Sequence, residues 1–64
     1  MILILPDETE VTVEKPIKSV EEHLIEVGLD PLTVLVSRDG TIIPEDTIPD
    51  EGDIIRVIRI SHGG

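Results

Sequence analysis

The sequence predicts a small two-layer α+β domain, in the order ββαβββ, with one helix packed across a sheet of four to five strands. Three observations lead there. Short runs rich in Ile, Val and Leu recur along the chain, separated by Pro, Gly and Asp turn chemistry. A single segment, near Ser19 to Val27, carries helical rather than alternating periodicity. Strands flank that segment on both sides, so the helix must cover one face of the sheet they form.

The elements follow in order. Ile2-Leu3-Ile4-Leu5 is a continuous apolar run, as expected of a strand buried on both faces. Pro6-Asp7-Glu8-Thr9 is a turn, and Glu10-Val11-Thr12-Val13-Glu14 then alternates, which places Val11 and Val13 on one face. The two segments form an N-terminal hairpin that Lys15-Pro16 ends. Ser19 stands three residues before Glu22, a capping-box spacing, and Val20, Leu24 and Val27 make one apolar stripe. Glu21 and Glu22 suit the positive end of the helix, and Gly28 suits its exit. Thr33 to Ser37 is a third strand, and Asp39-Gly40 before Thr41-Ile42-Ile43 signals a tight hairpin. Pro44 to Asp53 holds two prolines, five acids and Gly52, and reads as a loop with one short helical turn. Ile54 to Ile60 is the last strand. The domain thus spans residues 1–60, with 61–64 a flexible tail ending in Gly-Gly.

Composition narrows the function. The 64 residues hold 14 acids against 5 bases, a net charge of −9, with no cysteine and no aromatic residue. A chain so apolar, at 39% hydrophobic, is not an acidic disordered tail. The absence of cysteine excludes disulfides, thiolate metal sites and a thiol nucleophile. The charge makes direct nucleic-acid binding unfavourable and steers a basic protein partner instead. No apolar run approaches the roughly 20 residues of a membrane helix, so a cytoplasmic protein without membrane contact is expected. A core this small leaves no room for an enclosed active-site cavity, which argues against an enzyme and for function at the surface or a terminus.

Catalytic constellations are missing. His23 and His62 lack a ligand-pair spacing, and His23 reads as a half-buried or solvated helix residue. Ser19 has a capping role and no base beside it. Glu45, Asp46, Asp50, Glu51 and Asp53 lack the spacing of a calcium loop and form a solvated acidic segment. In the last strand, Ile55, Val57 and Arg59 point one way and Ile54, Arg56, Ile58 and Ile60 the other. If Ile55 and Val57 face the helix, then Arg56, Ile58 and Ile60 form a part-apolar stripe on the open face. That stripe is either covered by its own neighbours or is a docking face leading into the tail.

The tail itself is chemically informative. Two final glycines arise by chance in only about 0.5% of chains, from a usage of about 7%. Gly-Gly lets a C-terminal carboxylate pass a narrow channel and take whatever φ the partner demands. The carboxylate is inert until activated, for example as an acyl-adenylate, after which sulfur or an amine can attack it.

The ββαβββ order, the Glu51-Gly52-Asp53 turn before the last strand and the terminal Gly63-Gly64 resemble the ThiS/MoaD family of ubiquitin-like β-grasp sulfur carriers along the whole chain. The resemblance implies a mixed sheet whose first and last strands pair in parallel near its centre. It implies that a ThiF/MoeB-like activating enzyme adenylates the terminal carboxylate with ATP, and that the chain has no cofactor of its own. Gly64 would carry the adenylate and then the thiocarboxylate, with Gly63 giving the slim approach. The open-face residues Arg56, Ile58 and Ile60, with His62, would meet the activating enzyme. A sulfurtransferase or sulfur-accepting synthase would be the further partner, in thiamine, molybdopterin or tungstopterin, or tRNA 2-thiolation pathways. The chain alone would be a monomer and a cosubstrate rather than an enzyme. Two alternatives remain: a modifier joined through Gly64 to target lysines, and a small regulatory β-grasp module.

Overall fold

A computed structural model of the chain describes residues 1–60. Five strands form one sheet: β1 (Ile2–Ile4), β2 (Glu10–Thr12), β3 (Val34–Arg38), β4 (Thr41–Ile43) and β5 (Ile54–Arg59), in the spatial order β2-β1-β5-β3-β4. β1 and β5 run parallel, with Ile2 opposite Ile54 and Ile4 opposite Arg56; every other neighbouring pair is antiparallel. The helix α1 (Val20–Glu26) supplies the second layer. No helix among the described residues is long and apolar enough to cross a membrane.

Alternation explains the layering. Leu3, Val34, Val36, Ile55 and Val57 point to the helix side and join Val20, Leu24 and Met1 in the core. Val11, Val13, Val27, Leu29 and Ile43 close its margins. At seven residues α1 is too short to persist alone, so its stability comes from the Val20–Leu24 stripe and its caps. The Ser19 hydroxyl accepts from the Glu22 N–H at 3.3 Å, and Gly28 takes φ +85° just past the end.

Both hairpins use positive φ, but differently. Asp39 (φ 53°) and Gly40 (φ 77°) both turn left-handed, as a two-residue hairpin joining right-twisted strands requires. In the β1–β2 turn, Glu8 alone does so, at φ 72°, while the Asp7 carboxylate accepts from the Thr9 N–H at 3.0 Å. Those hydrogen bonds to Thr9 hold the Asp7 carboxyl below its ordinary range.

Three expectations need correction. β1 is not buried on both faces: Leu3 is fully buried, but Ile2 and Ile4 are only half-covered, because no second layer packs on their side. The third strand begins at Val34, since Pro31–Thr33 forms a 3-10 turn whose start Asp30 caps, its carboxylate accepting from Leu32 N–H at 2.9 Å. The segment from Pro44 to Asp53 contains no helical turn. Two tight turns replace it, with Thr47 N–H donating to Pro44 C=O and Asp53 N–H to Asp50 C=O, both at 3.1 Å. Its prolines and acids lack the apolar stripe that would hold a helix there.

That segment is nevertheless fastened at both ends. The Val20 and Glu21 amides at the start of α1 donate to Thr47 and Glu45 carbonyls, each at 2.9 Å. At the other end, Asp53 accepts at one carboxylate oxygen from the Asp50 amide and from Arg38, each at 2.9 Å. The Asp50 amide, and after it Arg38, hold the Asp53 carboxyl below its usual range. The Glu51-Gly52-Asp53 sequence is thus the clasp that delivers the chain into β5, and its Asp53 carbonyl accepts from Ile2 N–H where β1 begins.

Candidate functional site: the open face of the sheet

The helix covers one sheet face, and the other carries the side chains that alternate with the core. From β5 these are Ile54, Arg56 and Ile58, because Ile55 and Val57 are buried on the helix side. Neighbouring strands extend the surface. One row crosses the whole sheet in register, Glu10–Ile4–Arg56–Ser37–Ile42. The next row pairs Ile58 with Leu35, both about 40% exposed (40% and 43%), and on the other side Ile54 stands opposite Ile2. Ile60 lies just past the strand, half-buried, and its N–H donates to Thr33 C=O at 2.9 Å.

This face is an aliphatic surface with an arginine at its centre. Arg56 crosses β1 to reach Glu8 in the hairpin turn, with one guanidinium nitrogen 3.2 Å from both carboxylate oxygens. Both partners are exposed, so the pair adds little stability, on the order of 0.2–1 kcal/mol. Its effect is positional: it keeps a cation lying across Ile4 instead of projecting from the sheet. Beside it, Ile4, Ser37, Asp39, Gly40, Ile54 and Arg56 line a shallow groove of about 290 Å³. The groove is too open to exclude water from a reaction, but its apolar walls suit a partner's side chain.

Of the residues singled out from the sequence, the fold brings Arg56 and Ile58 together on the open face, with Ile60 at its upper margin. His62, Gly63 and Gly64 lie outside the described residues. Ile54, which alternation already set on the side of Arg56 and Ile58, joins this surface, whereas Leu35, Ile42 and Ile4 belong to it but could not be picked out of the sequence. In runs such as Val34-Leu35-Val36 and Ile2-Leu3-Ile4 every position is apolar, so alternation gives no sign of which one looks outward. The link between Glu8 and Arg56 was equally hidden, since 48 residues separate them.

His23 departs from its expected half-exposed place. It is buried, and its Nε2 has no hydrogen-bond partner among the described residues. Glu45 is a second oddity: one carboxylate oxygen is buried without a partner, and burial first, then the neighbouring Glu21 carboxylate, push its pKa up. The described residues contain no cluster of three or more ligating side chains able to hold a metal ion.

The fold and this face define a small α+β domain with an exposed aliphatic sheet surface. The chain is 34% identical over 58 residues to a protein of Archaeoglobus fulgidus described as "uncharacterized protein", covering 91% of this chain and 85% of that one. The chain belongs to the same family as this archaeal protein. No protein-family model matches it.

Proposed function

We propose that the protein is a ubiquitin-like β-grasp sulfur carrier of the ThiS/MoaD kind: a cosubstrate, not an enzyme, acting in the cytoplasm. The observation that carries this reading is the course of β5. The central strand that displays Arg56 and Ile58 on an open aliphatic face runs straight into Ile60 and the segment holding Gly63-Gly64. A partner seated on that face would therefore meet the glycines within a few residues. The strand order, the parallel β1–β5 pair and the single helix agree with a β-grasp arrangement.

The chemistry assigned to Gly64 proceeds in two steps. A ThiF/MoeB-like enzyme binds the chain and ATP, and the Gly64 carboxylate attacks the α-phosphorus, expelling pyrophosphate and forming the acyl-adenylate. A persulfide-bearing sulfurtransferase, or hydrosulfide, then attacks the carbonyl and expels AMP; in the persulfide case a second thiol releases the thiocarboxylate. The chain supplies the docking face through Arg56, Ile58, Ile60 and His62, and the slender approach through Gly63. It supplies no acid, base or metal, and its sulfur passes to a synthase in one of the thiamine, pterin or tRNA 2-thiolation pathways.

Intact-mass measurement tests this. The protein as isolated, incubated with ATP, magnesium, an activating enzyme and a sulfur donor, should exchange one terminal oxygen for sulfur, localised to Gly64 by fragmentation. An unchanged mass across several activating enzymes overturns the reading. Appearance of a Gly64–lysine conjugate without the thiocarboxylate would transfer the same activated carboxylate to protein modification.

A further inference from the structure

We infer that the free edge of β2 is a second interaction surface, which takes an extended segment of a partner protein in which basic and aliphatic residues alternate. The inference does not depend on the carrier reading, and it places this partner on the rim of the sheet, beside the open face and not upon it.

The phase of the β1–β2 ladder shows what the edge offers. Met1 and Val13 exchange both backbone bonds, the Met1 nitrogen donating to Val13 C=O at 2.7 Å and the Val13 N–H to Met1 C=O at 2.8 Å. Bonded and non-bonded pairs alternate in an antiparallel ladder, so Leu3–Val11 is bonded while Ile2–Thr12 and Ile4–Glu10 are not. The Leu5 N–H donates to Thr9 C=O at 2.8 Å, which keeps the same phase. Ile2 turns its groups to the other neighbour, its N–H reaching Asp53 C=O at 2.8 Å. Glu10 and Thr12 have no such neighbour, because β2 is the last strand of the sheet. Their N–H and C=O groups point outward, and no residue among those described pairs with them.

The opposite edge is closed by comparison. A two-residue Asp39-Gly40 turn makes Arg38–Thr41 the closing bonded pair of that hairpin, so Ile42 faces outward. The next outward position is Pro44, which has no N–H to give. An added strand finds a full donor and acceptor set at one residue on β4, but at two successive outward residues on β2.

Side chains then decide the occupant. Val11 and Val13 pack against the core and are only half-buried, while Glu10, Thr12 and Glu14 are exposed. Arg56 holds Glu8, but Glu10 and Glu14 have no ion pair among the described residues. A second copy pairing edge to edge would set one acidic strand against another, each chain carrying −9, and facing like charges destabilise a strand pair. Lysine or arginine on the incoming strand reverses that sign beside Glu10. The residues between them fall on the helix side, where an aliphatic side chain would cover the exposed margin of Val11.

Nuclear magnetic resonance on the full-length chain tests this, with a capped heptapeptide of alternating Lys and Val as the probe. Binding should slow exchange of the Glu10 and Thr12 amide protons about tenfold or more, as two new hydrogen bonds would. It should shift the signals of Val11 and Val13 more than those of Arg56 and Ile58. Exchanging the peptide's lysines for Glu, or N-methylating its backbone amides, should weaken binding about tenfold or more. Thr12→Pro removes an outward N–H that no ladder bond uses, so it should abolish binding and leave the fold intact. Glu10→Lys should weaken binding about threefold or more with no change in the melt, and so tests the charge without touching the backbone. Equal binding by the N-methylated peptide, shifts centred on Arg56 and Ile58, or no binding at about 1 mM peptide overturns the inference. Dimerisation of the chain through the Glu10 and Thr12 amides also overturns it, in favour of a second copy. None of these outcomes touches the chemistry assigned to Gly64.

Discussion

The two sides of β5 contrast sharply although they are built from the same residues. Ile55 and Val57 face the helix and are buried; Ile54 and Ile58, one position away, face water. Both pairs are aliphatic, so hydrophobicity alone does not distinguish a core residue from an exposed one. What distinguishes them is whether the chain itself supplies the second layer. On one side α1 does so, and on the other nothing in the described residues does. Buried and exposed aliphatic surface are thereby separated across the thickness of one strand.

Substitutions on the two sides should break along that line. Ile55→Ala should cost about 2–5 kcal/mol, as removal of buried methylenes does. That is a large part of the about 3–10 kcal/mol expected for a chain this short, so chemical denaturation should show a nearly unfolded protein. Ile58→Glu should cost about 1 kcal/mol or less, since the site is partly exposed, yet abolish most partner binding. A loss of stability at Ile58 equal to that at Ile55 would show that the open face is core, and would remove the basis for a docking surface.

A subtler comparison concerns two glycines with equal room around them. A Cβ built at Gly40 or Gly52 meets nothing within 4 Å, but only Gly40 has a left-handed backbone, at φ 77°. Gly40→Ala should therefore cost about 1–2 kcal/mol through the backbone alone. Gly52→Ala should be neutral, or stabilising by up to about 1 kcal/mol, because it restricts the unfolded chain. Equal melting temperatures for the two variants would mean that the Asp39-Gly40 turn does not hold its conformation in solution.

Much of this architecture was legible in advance, and the reasons are local. Ser19 and Glu22 mark the helix start, Gly28 its end and Asp39-Gly40 the second hairpin, because capping and left-handed turns demand particular residue types at particular spacings. The boundaries at Thr33 and Thr12 were less legible, since a β-branched residue suits a strand whether or not a partner lies alongside. The parallel pairing of β1 with β5 left no trace in the pattern; it was implied only by resemblance to a known family. The open face was half legible: alternation in β5 identified Arg56 and Ile58, but the surface they belong to is assembled from four other strands. Its ion pair depends on Glu8 holding a left-handed turn, an arrangement that local chemistry would more readily assign to Gly or Asn.

The smallest effect expected lies away from both faces, at the acidic loop on the helix start. Burial, followed by the Glu21 carboxylate, raises the pKa of Glu45. A carboxyl whose folded pKa is raised contributes stability that is fully present below its unfolded value and is lost as the pH rises through the folded one. At neutral pH, ionised Glu45 therefore weakens the docking of the loop on α1. Glu45→Gln should raise the urea midpoint at about pH 7 and leave it unchanged near about pH 3, where both side chains are neutral. Asp53 behaves oppositely: the Asp50 amide and Arg38 lower its pKa, so its contribution is present above the unfolded carboxylate value and disappears as acid protonates it. If Glu45→Gln destabilises at neutral pH instead, the carboxylate must be holding the loop through a charge-dependent contact, and the loop would join Arg38–Asp53 as an electrostatic clasp.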